Sequence, residues 1–356
     1  MSYQLPSPTH ELWRRTRPDT FSFPDAPPEV SSADSTDELL SENGIGEGVH
    51  ITTLQEGVSE FKGLLKNNHS DVDINDLVRY SVENADNGFL VYVEPGVKLE
   101  KPIDLKVHLS RKDHISLRNT IILGAGADVR LIESVNDPGG AQLLNSTRMV
   151  LSEGSRLTYR RLWNWQRSVY NNTSITLGRD AKLDAVSFNL GTGVSKIEQK
   201  TKLAGEGARI EELFVDVCRK RSHFDLFLEV DHSAPDTYSR LESLGVVRDR
   251  SYSLHHGLVK ILPQARGSDS YLKSRHLLLS NTARADAIPK LEIDTDDVKA
   301  GHGHTLSDVD PEAVFYLMNR GIPKNEAEEM YVDGFLAPLF ERFPELTRLM
   351  GCYDAK

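Results

Sequence analysis

The stretch Gly126-Ala-Asp-Val-Arg-Leu131 decides the fold, because closely similar turns recur through the middle of this 356-residue chain. Successive turns are separated by 30, 28, 26 and 27 positions. A nearly constant spacing of this length is typical of a solenoid, in which each turn buries its apolar face only against the next. The other turns, each passing from a turn former through a polar residue into an apolar strand former, are Gly96-Val-Lys-Leu, Gly154-Ser-Arg-Leu, Asp180-Ala-Lys-Leu and Gly207-Ala-Arg-Ile.

Short runs of strand-forming residues lie between these turns, such as Phe89-Leu-Val-Tyr-Val93 and Thr120-Ile-Ile-Leu123. No amphipathic helical stretch separates the turns, which disfavours a repeat of one strand and one helix. Each repeat has room for two or three strands, so we predict a mainly β fold with a right-handed parallel β-helix core. The alternative is an ordinary β-sandwich, whose turn signals come about every 8 to 12 residues. The wider spacing favours the β-helix.

The rest of the chain is predicted to flank this core. Residues 1–48 are rich in Pro, Ser, Asp and Gly and are interpreted as an extended arm. Apolar residues at helical spacing predict a small helical region at 49–87, and the β-helix core is assigned to 88–306. Residues 307–356 are predicted to form a second helical region.

Two helices are expected in the C-terminal region. Asp310 can cap the first, Pro311 suits its first position, and Gly321 can end it. A second helix is predicted from about Lys324, with Pro338 expected to kink it. Both helices should lie outside the repeats.

Composition excludes several classes of partner and location. The formal net charge is -11, from 53 acidic and 42 basic residues, which argues against a nucleic-acid partner. Residues 1–30 contain no apolar run of the kind a signal peptide needs, and no window is long enough for a membrane span. We therefore expect a cytoplasmic protein without a membrane partner. The only cysteines, Cys218 and Cys352, cannot by themselves hold an iron-sulfur cluster, which takes about four protein ligands.

Common enzyme motifs are missing from the sequence. Gly124-Ala-Gly126 follows a strand-like run, but position 129 is Val and no helix follows, so it is interpreted as a turn of the repeat. No phosphate-binding loop of the Gly-x-x-x-x-Gly-Lys-Ser/Thr type occurs, so we expect no ATP site in this chain. The serine-hydrolase and zinc-protease motifs are also missing. The chain is predicted not to be an enzyme.

The segment 291–305 carries the candidate metal ligands. His302 and His304 are two positions apart, so in a strand both imidazoles leave the same face and could meet one metal ion. The alternative is a solvated loop, because two histidines do not complete a metal shell. Elsewhere His232 and His276 are expected to be structural, and of the adjacent pair at 255–256 at most one can face any given site. Cys218 is expected to be a buried small side chain.

Several longer motifs occur in a fixed order and cover most of the chain. They are His10-Glu-Leu-Trp-Arg-Arg-Thr16, Gly88-Phe-Leu-Val-Tyr-Val-Glu-Pro-Gly-Val97, Leu99-Glu-Lys-Pro-Ile103, Leu277-Leu-Leu-Ser280, Pro289-Lys-Leu-Glu-Ile293, Asp296-Asp-Val-Lys299, Gly301-His-Gly303, Glu312-Ala-Val-Phe-Tyr-Leu317 and Asn319-Arg-Gly-Ile322. This set closely resembles the SufB/SufD family of iron-sulfur cluster assembly scaffolds. The resemblance implies a right-handed parallel β-helix between helical ends, in agreement with the repeat.

The resemblance also implies partners and a site. A SufC-like ATPase would dock on residues 311–343, through Val314, Phe315, Leu317, Met330, Tyr331, Phe335 and Leu336. A SufB-like subunit or a second copy of the chain would join the β-helix, with iron or an iron-sulfur cluster held transiently at their interface. His302 resembles the SufD histidine proposed as a ligand there, and His304 could add a second.

Within the family the sequence is most similar to SufD. Ala283 stands at the position of the SufB assembly cysteine, and Gly303 stands where SufB has a glutamate. Ala300 replaces a cysteine that is frequent in SufD members, and the N-terminal region is shorter than in the typical bacterial subunit. Two alternatives stay open: a β-helix polysaccharide lyase or hydrolase using Asp294, Asp296 and Asp297, and a plain interaction module without metal.

Overall fold

A computed structural model of the chain describes residues 3–23, 46–54, 56, 57, 61, 75–85, 88–107, 113–136 and 140–343. Seventeen strands lie within these ranges: β1 Val49–Thr53, β2 Phe89–Val93, β3 Ile103–Val107, β4 His114–Leu123, β5 Asp128–Asn136, β6 Gln142–Leu151, β7 Arg156–Asn164, β8 Val169–Leu177, β9 Lys182–Asn189, β10 Val194–Leu203, β11 Arg209–Cys218, β12 His223–His232, β13 Tyr238–Val247, β14 Tyr252–Ile261, β15 Ser268–Leu278, β16 Arg284–Ile293 and β17 Val298–Asp308. The helices are α1 Asp76–Glu83, α2 Pro311–Met318 and α3 Lys324–Arg342, with 3-10 turns at Glu11–Trp13 and Pro18–Thr20.

The strands form a parallel β-helix of about seven turns, which confirms the predicted fold class. Strands β2 to β16 with even numbers, together with β1, make a nine-stranded sheet that we call the even sheet. The odd-numbered strands β3 to β17 make an eight-stranded odd sheet. From β2 onward each strand therefore pairs with the strand two places along the chain, and one turn contains two strands. Among the described strands only β1 pairs in the antiparallel direction, with its neighbour β2.

The repeated turn residues adopt the backbone conformation that explains their spacing. Gly126, Gly154 and Asp180 have φ angles of 68°, 64° and 54°, in the left-handed region, and Gly96 and Gly207 do the same. Most residues with a side chain are strained there by about 1–2 kcal/mol, so glycine and aspartate mark the corner. The prediction that these positions are turns of a solenoid is confirmed.

Replacing Gly154 by alanine should lower the free energy of unfolding by about 1 kcal/mol. A Cβ atom at this position would meet no heavy atom within 4 Å, so the cost comes from the backbone conformation alone. The matched control is Asp180→Gly at an equivalent corner, which relieves strain and should change stability little. Denaturant unfolding of both variants checks the effect, and equal stability of Gly154→Ala and the parent chain would contradict it.

The interior between the two sheets is apolar with a polar ladder through it. Leu117, Leu143 and many other fully buried aliphatic residues fill the space. Among them Asn119 Nδ2 donates to Asn145 Oδ1 at 3.1 Å, and Asn145 Nδ2 donates to Asn171 Oδ1 at 2.7 Å. The three amides stand on β4, β6 and β8, one turn apart. Stacked amides satisfy each other, so they hold neighbouring turns in register without leaving unpaired polar groups.

Helix α3 covers the outer face of the odd sheet. Its residues Val332, Leu336, Leu339 and Phe343, the last just past the helix end, pack in one buried cluster with strand residues such as Phe188. Arg342 near the end of the helix reaches Glu211 at 3.0 Å and Glu242 at 3.2 Å. The predicted start of α2 is confirmed, because Asp310 accepts a hydrogen bond from the Glu312 backbone N–H at 2.9 Å. No helix in the described part of the chain is long and apolar enough to cross a membrane.

Residues 10–21, which we call the N-terminal strap, lie across the outer face of the even sheet. The Trp13 ring stacks on Tyr170 of β8 with the ring centroids 5.8 Å apart. Further along the sheet, Arg15 forms an ion pair with Asp286 of β16, and Glu11 forms one with Lys290 of β16. The strap therefore spans the even sheet from β8 to the last strand, and the described part of the predicted arm is packed rather than free.

The region predicted as helical at 49–87 is only partly so. Its first residues form the strand β1, and the β-branched run Val49, Ile51, Thr52 and Thr53 accounts for this. Helix α1 agrees with the predicted helical character of the later part of this region. Val58 and the pair at 64–65, which are apolar residues at helical spacing earlier in the region, lie outside the described residues.

Candidate functional site at the C-terminal end of the β-helix

The last turn of the β-helix, β16 and β17, ends both sheets. Each strand pairs on one side only, β16 with β14 and β17 with β15. In the described part of the chain no strand covers their outer edges, so rows of backbone N–H and C=O groups face outward. Ile293 and Leu306 add exposed apolar surface to this edge. Uncovered edges with apolar side chains tend to pair with another chain.

His302 and His304 lie on β17, so the segment is a strand rather than a loop. They stand opposite Leu272 and Ser274 of β15, and both side chains are exposed. Residues two apart in a strand share a face, as the sequence analysis required. The His302 ring forms no hydrogen bond and no ion pair with any of the described residues.

The acidic residues near this strand occupy a separate place. Asp294, Asp296 and Asp297 lie in the turn between β16 and β17, beside a shallow cleft of about 600 Å³. Asp297 lies 3.9 Å from Arg266, which is in the turn between β14 and β15. The turn with the three aspartates precedes β17, and within the described residues these carboxylates form no hydrogen bond or ion pair with either histidine ring.

His304 has a buried neighbour that sequence analysis treated as isolated. Its Nε2 atom lies 3.3 Å from Nδ1 of His276, and the two rings meet edge to face with centroids 5.5 Å apart. His276 is on β15 and has almost no exposed surface. This contact could be found from the register between β15 and β17, because that register places His276 opposite Leu306, two positions from His304 in the same strand.

A line of hydrogen bonds leads inward from His276. Its Nε2 atom is 3.1 Å from Ser253 Oγ, which is also 3.2 Å from His255 Nε2. His255 Nε2 in turn donates to Asp216 Oδ1 at 2.7 Å. We call His304, His276, His255 and Asp216 the histidine line. It joins the exposed edge at β17 to the interior at β11.

Burial sets the protonation of the line. Burial, with the neighbouring imidazoles of His255 and His304, lowers the pKa of His276 to about 2, so this ring is neutral at physiological pH. Burial also lowers the pKa of His304. At the inner end, burial and the Asp216 carboxylate raise the pKa of the Cys218 thiol well above its usual value. The thiol is therefore protonated and unreactive, and the expectation that Cys218 is a buried small side chain is confirmed.

No group of three or more His, Cys, Asp or Glu residues suited to a metal ion occurs within the described ranges. His302 and His304 could supply two ligands, and a complete shell needs more. The open edge of β17 is a place where a second chain could bring them.

The residues predicted to bind an ATPase divide into three groups by their exposure. Phe315 on α2 is 63% exposed and Met330 on α3 is 49% exposed, so both are accessible. Val314 and Leu336 are buried. The remaining three, Leu317, Tyr331 and Phe335, are half-buried.

Two further residues of α2, Tyr316 and Met318, are also exposed but were not among the predicted docking residues. Helix α2 carries apolar residues on all sides, so periodicity alone could not show which face is free. The exposed large apolar residues on α2 and α3 within the described ranges are Phe315, Tyr316, Met318 and Met330, and we refer to this set as the α2 surface.

Residues 108–335 match the family described as SUF system FeS cluster assembly, SufBD core domain. The chain belongs to the SufBD family. The match begins in the early strands and ends within α3, so the family's core domain includes the open edge and the histidines.

Individual SufBD proteins support the assignment. The chain is 30% identical to SufD of Bacillus subtilis (strain 168) over 281 residues, which is 77% of this chain and 64% of the relative. It is 29% identical to SufB of the same organism over 276 residues, 74% of this chain and 59% of the relative. A SufBD family protein of Mycobacterium leprae (strain TN) is 30% identical over 277 residues, 75% of this chain and 32% of the relative. The chain thus spans from 32% to 64% of the length of these relatives.

Proposed function

We propose that this protein is a non-catalytic scaffold subunit of a Suf-type complex that assembles iron-sulfur clusters in the cytoplasm. The observation that carries the proposal is the open edge of β17, which presents His302 and His304 side by side in a chain of the SufBD family. Membership of that family favours an assembly role over the polysaccharide alternative and over an interaction module without metal.

The partner at the open edge is proposed to be a SufB-like subunit or a second copy of this chain. Backbone pairing along β16 or β17, with Ile293 and Leu306 buried between the chains, would cover both sheet ends. Iron or a nascent cluster is the cargo of this interface. The partner supplies the ligands that two histidines lack.

The proposed second partner is a SufC-like ATPase, bound at the α2 surface. The sequence carries no phosphate-binding loop of its own, so nucleotide hydrolysis falls to a partner. Exposed aromatic and methionine side chains such as Phe315 and Met330 are typical anchors of protein interfaces. Arg248 and Glu329 form an ion pair that ties the nearby helix α3 to the odd sheet, so movement of the helices would be passed to the β-helix.

The proposal favours a SufD-like role in which the assembly cysteine belongs to the partner. Ala283, at the turn before β16, is almost fully buried and has no metal-binding atom. Gly303, between the two histidines, lies close to Tyr271. A Cβ atom added at Gly303 would be only 3.0 Å from the Tyr271 hydroxyl, so the glycine leaves room for that group. Thiolate ligands would therefore have to come from another chain.

Replacing His302 by alanine should reduce the iron content of the anaerobically purified complex at least severalfold. Loss of a ligand weakens metal binding at least as much as loss of a supporting group, which costs about 10–100-fold in affinity. The fold should stay intact because the side chain is exposed. Iron analysis and the visible absorption of the complex measure the effect.

His10→Ala is the matched control, because His10 is also exposed but lies in the N-terminal strap. It should leave iron loading unchanged. An iron content of the His302→Ala complex equal to that of the parent would remove His302 from the ligand set.

A further inference from the structure

His302 and His304 differ in how they are held, although they share a strand face. We propose that His276 is a positioning residue for His304. Nδ1 of His276 is hydrogen-bonded to Nε2 of the His304 ring, which leaves Nδ1 of His304 as the only nitrogen of that ring free to bind a metal ion. This inference rests on the proposed metal role of the open edge and adds which nitrogen binds and what orients it.

The hydrogen bond between the two rings decides the free nitrogen. His304 Nε2 and His276 Nδ1 are 3.3 Å apart, and a bond between neutral imidazoles needs one donor and one acceptor. A metal ion at Nδ1 takes the lone pair of that atom, so the ring proton must be on Nε2 and is donated to His276. Metal-binding histidines commonly donate their second ring N–H in this way, which fixes the tautomer and ring orientation.

His276 can accept this proton because its own second nitrogen has a partner. With Nδ1 accepting from His304, the His276 ring carries its proton on Nε2 and donates it to Ser253 Oγ at 3.1 Å. His255 is fixed separately, since its Nε2 donates to Asp216 and its Nδ1 lies 2.9 Å from Ser274 Oγ. Every ring nitrogen of the two buried histidines therefore has a hydrogen-bond partner.

The His276 ring is closely packed by its neighbours. The His255 ring lies against it with centroids 4.1 Å apart. On the other side is Gly245 of β13, where an added Cβ would come within 2.6 Å of His276 Cδ2 and 3.1 Å of Asp216 Oδ2. No side chain fits at that position while His276 keeps its place. The ring is thus fixed by packing as well as by hydrogen bonds.

The two candidate ligands consequently have different roles. His304 is oriented by its hydrogen bond to His276 before any metal arrives, which lowers the side-chain entropy lost on binding. His302, with no partner among the described residues, is free to turn towards a ligand supplied by a second chain. One fixed and one adjustable ligand suit a site completed by another subunit.

The test uses the full chain, alone and with its partner subunit, and Zn²⁺ as a diamagnetic probe. Nitrogen NMR of ¹⁵N-histidine protein should show His304 bound through Nδ1, with the proton on Nε2. His276→Leu removes the acceptor and should weaken Zn²⁺ binding about 10–100-fold. His276→Asn, whose amide oxygen can occupy the position of Nδ1, should recover most of the affinity.

His232→Leu is the control for simple loss of a buried histidine. His232 is fully buried and bonded to Thr237 and Ser239, away from the histidine line. It should destabilise the chain and leave Zn²⁺ affinity unchanged. Zn²⁺ bound through Nε2 of His304, or parent affinity in a folded His276→Leu, would overturn the positioning role while the metal site stands. If the parent protein binds no Zn²⁺ in either state, the metal site and the positioning role both fall.

Discussion

Asp225→Ala should lower the free energy of unfolding by about 3–5 kcal/mol, because it leaves the buried Lys196 with only the more distant Glu198 carboxylate, 3.8 Å away, as a counter-charge. Asp225 and Lys196 are both fully buried beneath the N-terminal strap, with Nζ and Oδ2 3.0 Å apart. Lys196 also donates to the Leu12 carbonyl at 2.8 Å, and Asp225 accepts from the Thr16 hydroxyl. The strap should therefore loosen when Asp225 is lost.

Two measurements check this result. Denaturant unfolding gives the loss of stability, and limited proteolysis reports whether the strap becomes accessible. Replacing both partners, as Lys196→Met with Asp225→Leu, removes the two charges of the pair together and should recover much of the stability, since Glu198 keeps its hydrogen bond from the Tyr170 hydroxyl at 2.7 Å. A loss as small as that of Asp19→Ala, an exposed position in the strap, would show that the buried pair contributes little.

Phe315→Asp should weaken binding of the ATPase by about 30-fold or more, corresponding to at least 2 kcal/mol for an interface anchor. Phe315 is the most exposed residue of the α2 surface, so removing it changes the interface and not the core. A charged carboxylate there would also have to be desolvated on docking. Binding of the purified ATPase by calorimetry or interferometry measures the effect.

Leu5→Asp provides the comparison, since Leu5 is an exposed apolar residue in the N-terminal part of the chain. It should leave ATPase binding unchanged. Unaltered binding by a folded Phe315→Asp would place the ATPase elsewhere and remove the docking assignment.

The repeat could be predicted from sequence because its corners demand special residues. Gly126, Gly154 and Asp180 adopt left-handed backbone conformations that glycine and aspartate tolerate. Because these residue types mark each corner, the regular spacing of the corners can be recognised in the sequence. The opposite corners carry a weaker signal. Lys220 and Asp249 also have positive φ angles there, and lysine is not a turn marker. From the sequence we therefore predict two or three strands in each turn, without deciding between the two numbers.

The candidate site could be predicted only in part. Alternation along one strand placed His302 and His304 on one face, because that depends on local geometry. His276 was missed because its approach to His304 depends on the register of two strands about 30 positions apart in the chain. Hydrophobicity selected Val314 and Leu336 as docking residues, but it does not say whether a helix face meets a partner or the sheet beneath it.

The strap also affects how the protein loses its structure. In an ordinary solenoid each turn contacts only its neighbours, so the end turns can fray while the middle stays folded. Here the strap joins Tyr170 on β8 to Asp286 on β16, four strands further along the even sheet. Fraying of the last turn must break these distant contacts as well, which raises the cooperativity of unfolding. The strap therefore also holds the open edge at β16 in a defined conformation before a partner binds.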